Sequence, residues 1–441
     1  RFALAAPAEG ETEKNGISVA GAWTLAVAGA WTLAGKATDV DSVSVSGALT
    51  LGAESTIDDK AKLSVSAGGT LTFEKAGPYE NEISLKGRTV SLEDGTVLQN
   101  GGTVVADAGA DGDGTVSLTN VSAGAGSVFS AKSGTLSVST ENLGDGLRFV
   151  AKEGAVVRLD VADVEGADTW TLNDGELSGA GTFKKAGKGT LTLNSGSHDV
   201  KNIKVSEGTL SVGAGAAFSG TGTLTVGEDA KLKSDGGKLS GFTLTGKGTA
   251  TVSGALGDIK DAKNVTLSGA LSVSGNVSGS ALVFKDDASL KGAGTTVSGT
   301  RLSGGTITLE TLTVAGDSTF DEGVSTLKLQ GQAGTSGAVD AEFSGSIEKS
   351  GDGTWTVSNY SVENGDDLKV SAGTLVWEKA DFAEGSTITA DGTLRIEGAA
   401  TERLAGTIGG TGTLELRNTD ATLDIEAASG ASWTLNVTGT S

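Results

Sequence analysis

Few side chains here are of a type that does chemistry, and their spacing narrows the field further. None of the 441 residues is cysteine or methionine, and His198 is the single histidine. That removes thiolate nucleophiles, disulfide frameworks and Cys/His metal clusters together. His198 is followed by Asp199, half of the relay a serine hydrolase uses to orient its base. No nucleophile motif supplies the other half. The surrounding Asn194-Ser195-Gly196-Ser197-His198-Asp199 has turn composition, so the expectation is an exposed loop histidine. Glycine pairs such as Gly220-Thr221-Gly222 lack the following helix that would present its N-terminus to a phosphate, and read as turns between strands. Carboxylates come closer to a site. Asp107, Asp111 and Asp113 fall within seven residues, separated by alanine and glycine, and hard oxygen donors on so pliable a backbone could hold Ca2+. Their spacing matches neither the EF-hand loop nor the nonapeptide of calcium-binding β-rolls, so a plain acidic turn competes. No other cofactor is implied.

The overall charge sorts partners. With 33 Lys and Arg against 55 Asp and Glu, the formal net charge is −22. No run of clustered Lys and Arg offsets it, which argues against nucleic acid or an anionic membrane as partner. No run approaches the roughly 18 apolar residues of a membrane helix.

The elements that must position these residues are announced by a recurring phrase: Gly, Thr, an apolar residue, Thr or Ser, another apolar residue. It stands at Gly189-Thr190-Leu191-Thr192-Leu193, Gly208-Thr209-Leu210-Ser211-Val212, Gly222-Thr223-Leu224-Thr225-Val226, Gly353-Thr354-Trp355-Thr356-Val357 and Gly392-Thr393-Leu394-Arg395-Ile396. Alternation of this kind puts one face inward and the other outward, with glycine turning the chain. No dozen residues carry helical spacing, so the chain reads as all-β. From Leu191 to Leu210, and again from Leu375 to Leu394, is 19 residues. That step is too short for a propeller blade or an immunoglobulin-like sandwich and suits one coil of a solenoid. It predicts a right-handed parallel β-helix, an elongated rod of roughly 20 coils with strands stacked about 4.8 Å apart. Trp23, Trp31, Trp170, Trp355, Trp377 and Trp433 sit at phrase positions expected to face the core.

Two stretches go further. Ala180-Gly181-Thr182-Phe183-Lys184-Lys185-Ala186-Gly187-Lys188-Gly189-Thr190-Leu191-Thr192-Leu193 and Phe343-Ser344-Gly345-Ser346-Ile347-Glu348-Lys349-Ser350-Gly351-Asp352-Gly353-Thr354-Trp355-Thr356-Val357, each followed by a second strand phrase, resemble the autotransporter-associated β-strand repeat of bacterial passenger domains. The resemblance implies a secreted β-helix at the bacterial cell surface with stalk, fibre or adhesive roles. That family normally closes with a membrane β-barrel, and no such tract precedes Ser441. The expectation is therefore a passenger separated from its barrel or a free-standing subunit, exported after signal-peptide removal, with Arg1 a processed N-terminus.

Three zones are expected: an apolar and acidic arm over 1–16, a less regular β-helix over 17–170, and regular repeats over 171–441. Pro78 and the charges around it suggest a projecting loop over 73–81. Phe2 and Leu4 in the arm, with Trp433, Leu435 and Val437 in a final strand phrase, form a candidate pair of surfaces for head-to-tail stacking on other copies. The alternatives are an adhesin binding surface glycans or matrix proteins, and a polysaccharide-active β-helix enzyme. The enzyme reading lacks a cluster of basic or carboxylate residues among exposed aromatics, and the expectation is no catalysis.

Overall fold

A computed structural model describes residues 125–139, 144–162, 169–285, 287–362, 365–378, 381–382, 386–397, 403–417, 422–428 and 430–438, and before those only separate short segments between 2 and 123. Among the described residues there is no helix; parallel strands form a β-solenoid. The chain divides into two units, 1–241 and 242–441.

Each unit is built by stacking equivalent strands in register. In the first, one column of register partners runs Leu25, Val43, Leu63, Ile83, Val104, Phe129, Phe149 and Leu177, each paired with the next. A second runs Leu136, Val157, Phe183, Ile203 and Leu224, and a third Trp170, Leu191, Leu210 and Leu232. In the second unit, Trp355, Leu375, Leu394 and Leu414 form the counterpart of the third column, with Val357, Trp377, Ile396 and Leu416 beside it. Apolar residues in all of these columns are buried wherever the side chain is described. The alternation of small apolar and hydroxyl residues explains the result: each coil is too thin to bury anything alone, and every coil completes the core of its neighbours.

The 19-residue steps seen in the sequence are register steps: Leu191 pairs with Leu210, and Leu375 with Leu394. Among the described residues the solenoid has about 13 turns, against the roughly 20 coils expected of the whole chain. The steps are unequal: that from Val157 to Phe183 takes 26 residues and that from Val314 to Val339 takes 25. The segment around Pro78 also differs from expectation. Pro78 and Tyr79 form a short strand paired with Val97 and Leu98, where proline's missing N–H is tolerable at a strand's first residue.

Room for the large core residues is made locally. A Cβ on Gly337 would stand 2.7 Å from ring atoms of Trp355, so only glycine on that rung leaves space for the indole above it. Trp355 donates its Nε1 proton to the Gln330 carbonyl at 3.0 Å, and Trp377 donates to the Tyr360 carbonyl at 3.2 Å. Both indoles are fully buried and satisfied, as burial of a donor requires.

Candidate functional site

The most distinctive polar groups lie inside the coils. Lys185 is the penultimate residue of the strand Glu176–Ala186, at a core-facing position, paired on one side with Leu159 and on the other with Val205. Its side chain is fully buried. The Nζ reaches past the strand end and donates to the carbonyls of Gly187 at 2.5 Å, Gly189 at 2.6 Å and Glu207 at 3.1 Å. Three protons thus meet three carbonyls of two successive turns. Burial pushes the ammonium pKa down to about 8, opposed by the charges of Asp160 and Glu207, so it remains a cation at neutral pH. Gly208, at φ +62, allows the approach: a Cβ there would lie 2.6 Å from Nζ.

Lys349 repeats the arrangement in the second unit. It sits between Leu329 and Val370 in its column and donates to the carbonyls of Ser350 at 3.1 Å, Gly351 at 2.6 Å and Ala372 at 2.9 Å. Burial lowers its pKa to about 8 against the pull of Asp352. The two lysines occupy the same place in the two stretches that resemble the passenger-domain repeat. Their signal was present in the sequence: in Phe183-Lys184-Lys185 and Ile347-Glu348-Lys349, strand parity points the second charged residue inward.

His198 overturns the expectation of an exposed loop residue. It lies inside the strand Thr190–Val205 and is fully buried. Ser178 pairs with Asp199, and His198 itself pairs with Phe218, so the imidazole continues the column of Phe149 and Leu177. Its ring centroid is 4.5 Å from that of Phe218. Nδ1 accepts the Leu177 N–H at 3.2 Å, while the buried Nε2 has no partner among the described residues. Desolvation drives its pKa down to about 4, opposed by Glu176. The glycine and serines around it mark a long bent strand rather than a loop.

An aromatic stack crosses several coils of the second unit. Phe320 meets Phe343 edge-on at 5.2 Å, Phe343 stacks on Tyr360 at 5.8 Å, and Tyr360 lies 5.3 Å from Trp377. Tyr360 donates its hydroxyl to the Gly345 carbonyl at 2.7 Å, and burial raises its pKa. Phe320, Val324 and Phe343, with Asp321, Glu322 and Glu342, line a cavity of about 340 Å3. Asp321 is already engaged by Arg301 at 2.5 Å. In the first unit a groove of about 450 Å3 runs along Lys188, Glu207, Thr209, Asp229 and Lys231.

The sequence-predicted site residues are not gathered into a centre. Asp111 and Asp113 lie outside the described residues, as does the side chain of Asp107, whose backbone ends the strand Thr103–Asp107. No group of three or more metal-ligating side chains occurs among the described residues. Phe2 and Leu4 lie in a strand that pairs with the chain's own Leu25 and Val27. Leu435 and Val437 pair with Leu414 and Leu416; Leu435 is 46 % exposed and Trp433 half-buried. No helix among the described residues is long and apolar enough to cross a membrane. No known protein family matches this chain, and neither a curated protein nor a solved structure is significantly similar to it.

Proposed function

We propose that this protein is a secreted structural β-solenoid of the bacterial cell surface, serving as a fibre subunit or stalk. The observation that carries the reading is the use to which the chemically capable side chains are put. Lys185, Lys349, His198 and Tyr360 all turn inward and each bonds to the backbone of a neighbouring coil. Groups committed in this way hold a stack together, and the outer faces are left to hydroxyl and charged side chains. A thin solenoid free of cysteine also suits a chain exported unfolded and matured outside the cell. The two lysine-capped repeats favour the autotransporter-passenger kinship on which the surface location rests.

Head-to-tail assembly of copies belongs to the same reading, with Leu435 as its most exposed apolar contact. Negative-stain microscopy and light scattering of the full chain test it. Filaments that shorten or vanish in Leu435→Lys support assembly, and dispersed single particles for the native chain at all concentrations refute it.

A further inference from the structure

Coiling gathers cations that the linear sequence disperses. Arg158, Lys184 and Lys204 are 26 and 20 residues apart in the chain, yet Arg158 pairs with Lys184, and Lys184 with Lys204. They form an outward column on three successive strands, at the strand spacing of about 4.8 Å. Ser137 precedes Arg158 in that column and Thr225 follows Lys204. Two residues earlier on the same strands, and on the same face, stands a hydrogen-bonding column of Thr182, Asn202 and Thr223. The two columns are about 7 Å apart along the strands.

Like charges directly opposite one another destabilise a sheet, and the cations of the second unit stand opposite carboxylates at three rungs. There Lys291 faces Glu310 at 2.5 Å, Lys328 faces Glu348 at 3.5 Å, and Arg395 faces Glu415 at 2.7 Å. In the cation column Arg158 alone has a carboxylate, Asp160 on its own strand. Lys184 and Lys204 have none within ion-pair distance among the described residues, and Lys204 is exposed. Two adjacent unneutralised lysines on a chain of net charge −22 are a local reversal of sign.

We infer that this face of the first unit binds an acidic polysaccharide, with the polymer running along the stack of coils. The cation column meets carboxylates that recur once per sugar, since the strand spacing is close to the length of one extended sugar residue. The parallel Thr182, Asn202 and Thr223 column meets sugar hydroxyls, which a polyphosphate would not use in the same way. The overall negative charge opposes any polyanion, and most strongly the more densely charged nucleic acid. This inference is independent of the structural role proposed above: a protein that forms no filaments could still carry it.

The test uses the full chain with polygalacturonate as the probe, neutral dextran and double-stranded DNA as comparisons, and binding measured at low and moderate salt. The expected result is binding to polygalacturonate and not to dextran, weakened about tenfold by the double change Lys184→Gln and Lys204→Gln, with a shallower salt dependence. The pair Lys291→Gln and Lys328→Gln, which removes ammoniums already neutralised, leaves it within twofold. Asn202→Ala weakens polygalacturonate binding without altering the salt dependence. Absence of polygalacturonate binding by the native chain overturns the inference, as does equal binding by the Lys184/Lys204 variant when its circular dichroism is native. DNA bound as tightly through the same lysines overturns it in favour of a general polyanion surface. Self-association lost in that variant, without polysaccharide binding, overturns it in favour of a second copy of this chain.

Discussion

Replacing Lys349 by methionine separates two opposed effects of a buried charge. Methionine fills nearly the same space and needs no hydration, so it removes the desolvation cost that pushes the Lys349 pKa down to about 8. It also strips the donor from the carbonyls of Ser350, Gly351 and Ala372. An acceptor left unpaired costs about 1 kcal/mol or more, so three set a loss of about 3 kcal/mol. The ammonium is already accommodated by those dipoles at neutral pH, so the orphaned carbonyls outweigh the relief, and a net loss of about 2–3 kcal/mol is expected. A solenoid opens locally, so the readout is hydrogen exchange of the amides between Ser350 and Thr374, which should quicken about a hundredfold at neutral pH. Lys328→Met, at an exposed pair with Glu348, should change its own coil by less than about 0.5 kcal/mol. The pH dependence supplies a second readout. Lys349 has a folded pKa below its ordinary 10.5, so between about 8 and 10.5 the unfolded state holds the extra proton and stability rises with pH. That rise should shrink in the methionine variant, leaving the part due to Lys185. Exchange within threefold of native, or slower, refutes the capping argument and shows that burial of the charge dominates.

Two further predictions concern the first unit. His198 has a folded pKa of about 4 against an ordinary 6.5, so its contribution is whole above pH 6.5 and is lost progressively as pH falls through 4, at a full cost of about 3 kcal/mol; urea unfolding at pH 7 and pH 4.5 should differ by about 2 kcal/mol in the native chain and lose most of that difference in His198→Leu. Gly196 has φ +120 and a Cβ there would stand 2.1 Å from the Gly175 carbonyl oxygen, whereas Gly154 at φ +77 has nothing within 4 Å. Gly196→Ala should therefore cost more than about 3 kcal/mol and Gly154→Ala about 1 kcal/mol, and equal costs by thermal unfolding would refute the steric account.

The fold was legible because its signal is periodic and repeated. Leu191, Leu210, Leu375 and Leu394 are spaced by the stacking itself, and Trp170, Trp355 and Trp377 are buried as their phrase positions require. His198 was illegible because serine and glycine beside it carry turn propensity, while its burial is decided by the rung on which Ser178 meets Asp199. The cation column was hidden for a related reason. A search for charge runs sees neighbours in sequence, and Arg158, Lys184 and Lys204 become neighbours only through the coil. Steps of unequal length make that register hard to compute from the sequence, although strand parity alone places Lys184 outward and Lys185 inward.

That adjacent pair shows how the register is held. A slip of one residue would exchange faces for the whole strand, moving Phe183 and Lys185 outward and Lys184 inward. Lys185 would then lose its bonds to Gly187, Gly189 and Glu207. Lysine at 184 would partly replace it, so in this coil the discrimination must come mostly from Phe183, which the slip would expose. The second copy is stricter. Its inward lysine follows Glu348, and a slip would bring a carboxylate toward the carbonyls of Ser350 and Gly351, which can donate nothing to it. An acceptor facing acceptors in a buried site is opposed by both desolvation and repulsion. The capped turn of the second unit therefore selects its register by excluding the alternative as well as by bonding, whereas the first tolerates a cation on either face. That tolerance leaves Lys184 free to stand in the outward column with Arg158 and Lys204.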